Sequence, residues 1–513
     1  MIIIQEMAGS RFLCRHNDWR PVFLVSDERV VKRSLIVPEA GKNRLVFPSE
    51  INKRLVLMGN IFADVGASIY LVGGAVRDIY LGAESADLDF VTSADISTIK
   101  RVMRKTSRSM YDVSRAKGHG TQGVIFEDGM EVEITPFRSA GSVENDVPAT
   151  KGKPTLAEDL VSRDFTVNAV AADLSPDGFG VLFDPCAGLE DLRKGFLRTP
   201  RDPVETMKDD PLRVLRAVRF SIGCGLRPDE KLLSAIKYVV EETDLLSRIA
   251  PERVKMEIEK LLMLPHPAGG VREMFKWGLV AHWMPELVAL MKLEPESDAE
   301  HKNMLEHTME VLDRAAHFGP KTPRFRMAAL LHDVGKPAVR TLTDSGYSFI
   351  NHDRVGGVLA AEICRRLRFS NEDVDYIAFL VSKHHRLSAY DDDWTDSAVR
   401  RAVNDLGERF EDVAALTKSD ITTGDKELKA AREARADRFK MRAGELDAAR
   451  YFDPKPPIDG AEIMKLLGIG PGPRVGEIIN MLKERIIDGE LEPNDAEGAI
   501  ELVRRFAKGD KIS

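Results

Sequence analysis

Apolar positions along this chain follow two periods, and one gives way to the other near residue 200. Between 51 and 64 they recur at helical spacing, which predicts an amphipathic helix. Short runs rich in β-branched and aromatic residues follow. Ile69-Tyr70-Leu71-Val72 and Leu88-Asp89-Phe90-Val91 read as strands. Gly123-Val124-Ile125-Phe126 and Met130-Glu131-Val132-Glu133-Ile134 flank Glu127-Asp128-Gly129. Asp-Gly is a strong turn signal, so these runs predict a hairpin. Residues 50–200 are therefore expected to form a mixed α/β domain. After about 203 strand patterns nearly vanish. Helical periodicity runs through 210–222, 229–247, 251–264, 301–317, 322–334, 355–368, 371–384 and 396–418. Residues 425–450 read as a highly charged helix, and 141–154, rich in Gly, Pro, Asn and Thr, as a mobile loop. Residues 1–47 mix short β-like runs, such as Val22-Phe23-Leu24-Val25, with charge and yield no assignment. There is no internal repeat.

Size and composition narrow the class. The 513 residues suffice for three or four domains, and 43% hydrophobic with 30% charged residues is ordinary for globular proteins. No apolar run approaches the roughly 20 residues needed to span a bilayer. Met1-Ile2-Ile3-Ile4-Gln5-Glu6 lacks the basic start and long apolar stretch of a signal peptide. Cys14, Cys186, Cys224 and Cys364 have no metal-like spacing and are expected to be reduced thiols of a cytoplasmic protein. A net charge of -8 argues against non-specific coating of nucleic acid but leaves room for a local basic groove.

The richest chemistry lies behind Leu71-Val72-Gly73-Gly74-Ala75-Val76-Arg77-Asp78. Asp87 and Asp89 stand one residue apart, and on a strand such positions share a face. Adjacent carboxylates repel unless cations lie between them, and hard oxygen ligands suit Mg²⁺. Two such ions can clamp an in-line phosphoryl transfer. Glu133, between apolar Val132 and Ile134, offers a third carboxylate to polarise an attacking hydroxyl; Glu131 shares its face, and the sequence does not separate them.

Two further segments carry polar groups at helical spacing. In Arg163-Asp164-Phe165-Thr166-Val167-Asn168-Ala169, Asp164 and Asn168 are i and i+4, neighbours on a helix, able to hold a ribose hydroxyl with Arg163 near phosphate. In Asp209-Asp210-Pro211-Leu212-Arg213, continuing to Arg216 and Arg219, three arginines form a helix stripe behind Asp210. Phosphate is a natural partner for them. Asp210 and Pro211 equally fit an ordinary helix start.

Together these segments resemble the bacterial-type (class II) tRNA nucleotidyltransferase and poly(A) polymerase family of the polymerase-β-like superfamily, over roughly 50–265 and, with the helical tail, to about 505. Gly73-Gly74-Ala75-Val76-Arg77-Asp78 with Asp87-Leu88-Asp89 resembles the metal-binding motif. Ser162-Arg163-Asp164-Phe165-Thr166-Val167-Asn168-Ala169 resembles the ribose-selecting motif, with Ser162 where the family has its first arginine. Asp209-Asp210-Pro211-Leu212-Arg213 resembles the nucleobase template, with Asp209 in place of a glutamate. Pro251-Glu252-Arg253-Val254-Lys255-Met256-Glu257 resembles the motif at the end of the neck. The resemblance implies a nucleotidyltransferase head followed by an all-helical neck, body and tail, an α+β chain overall. It implies Asp87, Asp89 and Glu133 as catalytic residues. Gly74, Arg77, Arg163, Asp164, Asn168, Asp210, Arg213 and Arg216 would bind nucleotide. Mg²⁺ is the implied cofactor, and ATP, CTP and tRNA the implied partners. Asp210 accepting from an exocyclic amino group and Arg213 donating to a ring nitrogen would select C and A over U and G.

Seven of the eleven histidines lie between 301 and 385. Leu330-Leu331-His332-Asp333-Val334-Gly335-Lys336 carries a His-Asp dyad. His307, His332, Asp333 and Asp420 would bind one divalent cation, and His352 and His384 complete a second; imidazole with carboxylate suits several metals. This resembles the HD phosphohydrolase superfamily and implies a metal-activated water attacking phosphate esters. Leu467-Gly468-Ile469-Gly470-Pro471-Gly472-Pro473 predicts a turn between helices, whose N–H groups either hold RNA phosphate or only start the next helix.

The expected layout is an extension over 1–49, a head over 50–200, a neck over 201–290, an HD domain over 291–425 and a helical tail over 426–513. The alternatives in function are a poly(A) polymerase, a partial CC- or A-adding enzyme, and an HD hydrolase or RNA-binding protein with an inactive head.

Overall fold

The computed structural model describes residues 43–83, 88–113, 120–138, 154–293, 304–344, 346–448 and 452–508, and the backbone of three N-terminal strands. Those strands, β1 (Ile3–Met7), β2 (Ser10–Arg15) and β3 (Asp18–Pro21), form an antiparallel sheet in sequence order. The Val22–Val25 run and the 141–153 part of the expected loop lie outside the described residues. The chain divides into two compact units, Met1–Thr206 and Met207–Ser513.

The first unit is built on a seven-stranded sheet. Its strands are β4 (Ile69–Val72), β5 (Leu88–Thr92), β6 (Ser109–Asp112), β7 (Gln122–Ile125), β8 (Glu131–Pro136), β9 (Ala171–Asp173) and β10 (Leu182–Phe183), in the order β10-β9-β4-β5-β8-β7-β6. All neighbours are antiparallel except β5 and β8, which run parallel. The expected hairpin is the β7–β8 pair, closed by a turn with Gly129 at φ +82°. Leu88, Phe90, Val132 and Ile134 are buried while Asp89 and Glu133 between them are not, the alternation that fixes which face meets the core. Helix α1 (Ser49–Ala63) buries Leu55, Met58, Gly59 and Phe62, one stripe at helical spacing.

The second unit is mostly helical, as the periodicity predicts, apart from short strands such as the hairpin of Thr341–Thr343 and Gly346–Ser348. The 396–418 run is not one helix. It breaks at Gly407, whose φ of +55° suits glycine, into Asp396–Leu406 and Phe410–Ser419. Buried Arg326 donates to Leu262 O and Leu264 O at 2.5 and 2.8 Å, so carbonyls at the end of helix Pro251–Leu262 neutralise a cation in the core. In the tail, Ile463, Ile478, Leu482, Ile486, Ala499 and Val503 form a separate apolar core. Helix Gly460–Leu467 ends at Gly468 (φ +64°), and the next begins at Pro473, so the predicted turn is there. Among the described residues no helix is long and apolar enough to cross a membrane.

Gly59 seats helix α1 against the backbone just past β9. A Cβ there would fall 1.8 Å from Leu174 O. Gly59→Ala is therefore expected to destabilise the first unit by about 1–3 kcal/mol or more, because a backbone carbonyl must move. Urea denaturation followed by circular dichroism checks it; an unchanged midpoint would mean that α1 is not seated as described.

Candidate functional site

Register brings the head carboxylates together. Asp89 pairs with Val72 on one side and with Glu133 on the other, so these two acids lie on neighbouring strands and one face. Asp87 lies outside the described residues. Glu131 is one step further along β8, exposed, and accepts from the Tyr111 hydroxyl. Glu133, opposite Asp89, is thus the better placed of the two glutamates.

Between β4 and α2 (Gly74–Tyr80) the chain turns through Gly73 at φ +71°. A Cβ at Gly73 would stand 3.2 Å from Arg163 Nη1 and 3.8 Å from Asp89 Oδ2. Glycine leaves that space open beside the carboxylate, as a cation and a phosphate require. The acids and this cradle fit Mg²⁺.

Asp164 and Asn168 are not on a helix. The helix here, α3 (Leu156–Val161), is started by a Thr155–Glu158 capping box and ends before them. Thr166–Asn168 is a 3₁₀ turn. The pair still meets, with Asn168 Nδ2 donating to Asp164 Oδ1 at 3.0 Å. Asn168 Oδ1 accepts from Arg77 Nη1 at 2.7 Å, and Arg77 also grips Asp78 at 2.9 and 3.0 Å. Arg163 donates to Asp159 through Nε and Nη2 at 3.2 and 3.0 Å, and Arg138 binds the same fully buried carboxylate. Asp159 and Asp78 are additional to the residues that the motifs point to. Asp159 stands four residues before Arg163, a spacing that signals a pair on a helix.

In the second unit the arginine stripe has a protein partner. Glu257, 5% exposed, accepts from Arg216 at 3.3 Å and from Arg219 at 2.8 Å, so phosphate is not needed to balance them. The helix starts at Arg213, two residues beyond Pro211. Asp210 Oδ1 accepts from Leu212 N–H at 3.2 Å, and Oδ2 from Arg253 at 2.7 Å. The Pro251–Glu257 segment thus orients Asp210 and steadies the helix of Arg213.

The same unit holds a histidine cluster. His307 Nε2 lies 3.1 Å from His332 Nε2, 3.3 Å from Asp333 Oδ2 and 3.2 Å from Asp420 Oδ1. Asp333 Oδ1 faces His352 Nε2 at 3.4 Å and His384 Nε2 at 3.9 Å. Asp333 stands between two groups, His307–His332–Asp420 and His352–His384–His385. His385, not among the expected ligands, approaches His352 Nε2 to 3.1 Å. The Nδ1–H groups of His332, His352 and His384 donate to Ala329 O, Phe349 O and Val381 O, which turns each Nε2 inward, the arrangement that orients metal ligands. Buried His384 Nε2 has no hydrogen-bond partner. Facing imidazole nitrogens, a bridging carboxylate and this orphan atom fit two divalent cations. Burial works against a charge on His332, yet Asp333 and Asp420 push it up to about 10; burial with neighbouring His385 and His332 lowers His384 to about 3.

Comparison with known proteins extends this picture. A family described as the poly A polymerase head domain matches residues 69–198. A second, described as the probable RNA and SrmB-binding site of polymerase A, matches 225–291, and the HD domain matches 304–448. An A-adding tRNA nucleotidyltransferase of Deinococcus radiodurans is 32% identical over 454 residues, 85% of this chain and 95% of its own. A CC-adding tRNA nucleotidyltransferase of Thermus thermophilus is 30% identical over 439 residues, 82% and 90% of the two chains. The crystal structure of a Bacillus stearothermophilus CCA-adding enzyme in complex with CTP aligns with a TM-score of 0.64 at 25% identity, covering 90% of this chain and 100% of that one.

Asp159→Ala is expected to cost about 3–5 kcal/mol, since it strips a buried carboxylate from two arginines. Asp159→Asn, which keeps the shape, should cost less; equal midpoints for the two variants would contradict the pairing. Loading the metal-free protein with Zn²⁺ at pH 7 is expected to release protons, because His332 holds one there and a ligand must be deprotonated. Calorimetry in two buffers of different ionisation enthalpy measures this, and equal heats would count against it.

Proposed function

The chain belongs to the bacterial tRNA nucleotidyltransferase and poly(A) polymerase family, and from that premise we propose that it adds C, C and A to the 3′ end of tRNA from CTP and ATP. The observation that carries the reading is the pairing of Asp89 with Glu133 across β5 and β8, beside the space kept open by Gly73. Asp89, with Asp87, holds Mg²⁺, which when bound neutralises the triphosphate and lowers the barrier to attack. Glu133 draws the proton of the terminal 3′-hydroxyl. That oxygen bonds to the α-phosphorus, the bond from the α-phosphorus to the bridging oxygen breaks, and pyrophosphate leaves. Arg163, held by Asp159, faces the phosphates. Asp164, Asn168 and Arg77 form one hydrogen-bonded chain that positions the sugar. Asp210 and Arg213 read the base, and Arg253 keeps the Asp210 carboxylate turned.

The histidine cluster supports a second activity in the same chain. His307, His332, Asp333, His352, His384 and Asp420, joined by His385, would hold divalent cations, which when bound would activate water against a phosphomonoester or cyclic phosphodiester. The metal identity follows from loading, not from ligand type.

Transcripts ending at the discriminator base, at C or at CC, offered CTP and ATP separately and together, test the first activity. Additions that stop at CCA are expected; long A tails would identify a poly(A) polymerase, and addition of C alone or A alone a partial enzyme. Asp89→Ala should lower incorporation about 10²- to 10³-fold or more, since it removes a metal-binding carboxylate as well as one preorganised charge-stabilising group. His332→Ala should abolish hydrolysis of 2′,3′-cyclic AMP and spare incorporation. Loss of both activities in either variant would overturn the two-site reading.

A further inference from the structure

The row of paired residues that carries Asp89 and Glu133 continues past them. Glu133 pairs with Gly123 on β7, and Gly123 with Tyr111 on the edge strand β6. A Cβ at Gly123 would fall 2.2 Å from Tyr111 Cζ and 2.5 and 2.6 Å from Cε1 and Cε2. The ring therefore lies flat over the glycine, on the face that carries the acids. Its hydroxyl is tethered to Glu131, the neighbour of Glu133 along that face. One side of the ring covers Gly123, yet Tyr111 remains 41% exposed. Two strand spacings, about 10 Å, separate the ring from Asp89, a span that one nucleotide bridges.

We propose that Tyr111 is a stacking platform for the base of the RNA's 3′-terminal nucleotide, seating that nucleotide so that its 3′-hydroxyl reaches Glu133. The inference rests on the reading of the head as the place where RNA is extended. Every base has a π-face, so a fixed aromatic ring accepts the terminal base whichever residue was added last. An enzyme whose primer end changes at each step needs that tolerance. The tether to Glu131 holds the ring before RNA arrives, so little is lost in ordering it. A ring laid over a strand glycine also fills a gap in a sheet. That role accounts for the covered side of the ring and makes no use of the open one.

The test uses the full chain and an RNA minihelix whose 3′-terminal base is 2-aminopurine, a fluorophore quenched by stacking. The unmodified protein and Tyr111→Phe are expected to quench it, and Tyr111→Leu to lose the quench. Tyr111→Leu should raise the KM for RNA roughly 5- to 100-fold, the loss of one stacked base, and leave the KM for CTP unchanged. Tyr111→Trp, which keeps an aromatic cover on Gly123, should quench at least as strongly as the unmodified protein. Equal quenching by Tyr111→Leu, or a weaker quench by Tyr111→Trp, overturns the platform. If the unmodified protein extends no RNA, the reading of the head fails; if extension proceeds while quenching ignores residue 111, only the platform fails.

Discussion

Like charge placed on adjacent strands is the constraint on which the head depends. Parallel pairing of β5 with β8 sets Asp89 against Glu133, and like charges opposite each other cost up to about 1 kcal/mol. The opposite face decides the contest. Leu88, Phe90, Val132 and Ile134 are buried there, each contributing about 1.5–3 kcal/mol. A slip of β8 by one residue would separate the acids but turn Glu133 into the core and expose Val132 and Ile134. The hydrophobic face therefore holds two carboxylates in a pairing they would not adopt by themselves. A cation between them then meets ligands already in place.

Around both proposed sites, charges that would serve a ligand are first held by protein. Arg163 is fixed by Asp159 and Arg77 by Asp78 and Asn168; in the second unit Asp210 is fixed by Arg253 and Arg216 by Glu257. Each pairing removes rotamer freedom that binding would otherwise have to remove. The histidine cluster follows the same rule through backbone carbonyls, which fix three rings so that their Nε2 atoms converge. Asp333 uses both carboxylate oxygens there, one toward each histidine group.

Local patterns were legible where one signal dominated. Short runs rich in β-branched and aromatic residues locate β4 and β5, Asp-Gly locates the β7–β8 turn, and 3.6-residue spacing locates most helices. Errors arose where a backbone singularity overrode the pattern. Gly407 splits one apolar stripe into two helices, and the Thr155 capping box starts a helix early enough that it ends before Asp164. Long-range pairing was the harder part. Glu257 closes the Pro251–Glu257 motif, yet nothing local says that Arg216 and Arg219, 41 and 38 residues before it, are its partners. His384 and His385 are adjacent in the chain, and adjacency alone does not say which of them turns inward. Only the tertiary fold shows that both rings face His352.

The full-length relatives are named for adding A, for adding CC and for adding CCA, although they match this chain over similar lengths. A base-reading pair such as the one proposed for Asp210 and Arg213 does not by itself produce that spread. C and A both offer an amino donor beside a ring-nitrogen acceptor, so a carboxylate and a guanidinium satisfy either and reject U and G. What the two bases do not share is size. Choice between them therefore has to come from the room left for the base. A primer gripped by its last base presents its end at the same place at every addition, so neither that grip nor the pair separates C from A, and the separation falls to the space around the incoming base.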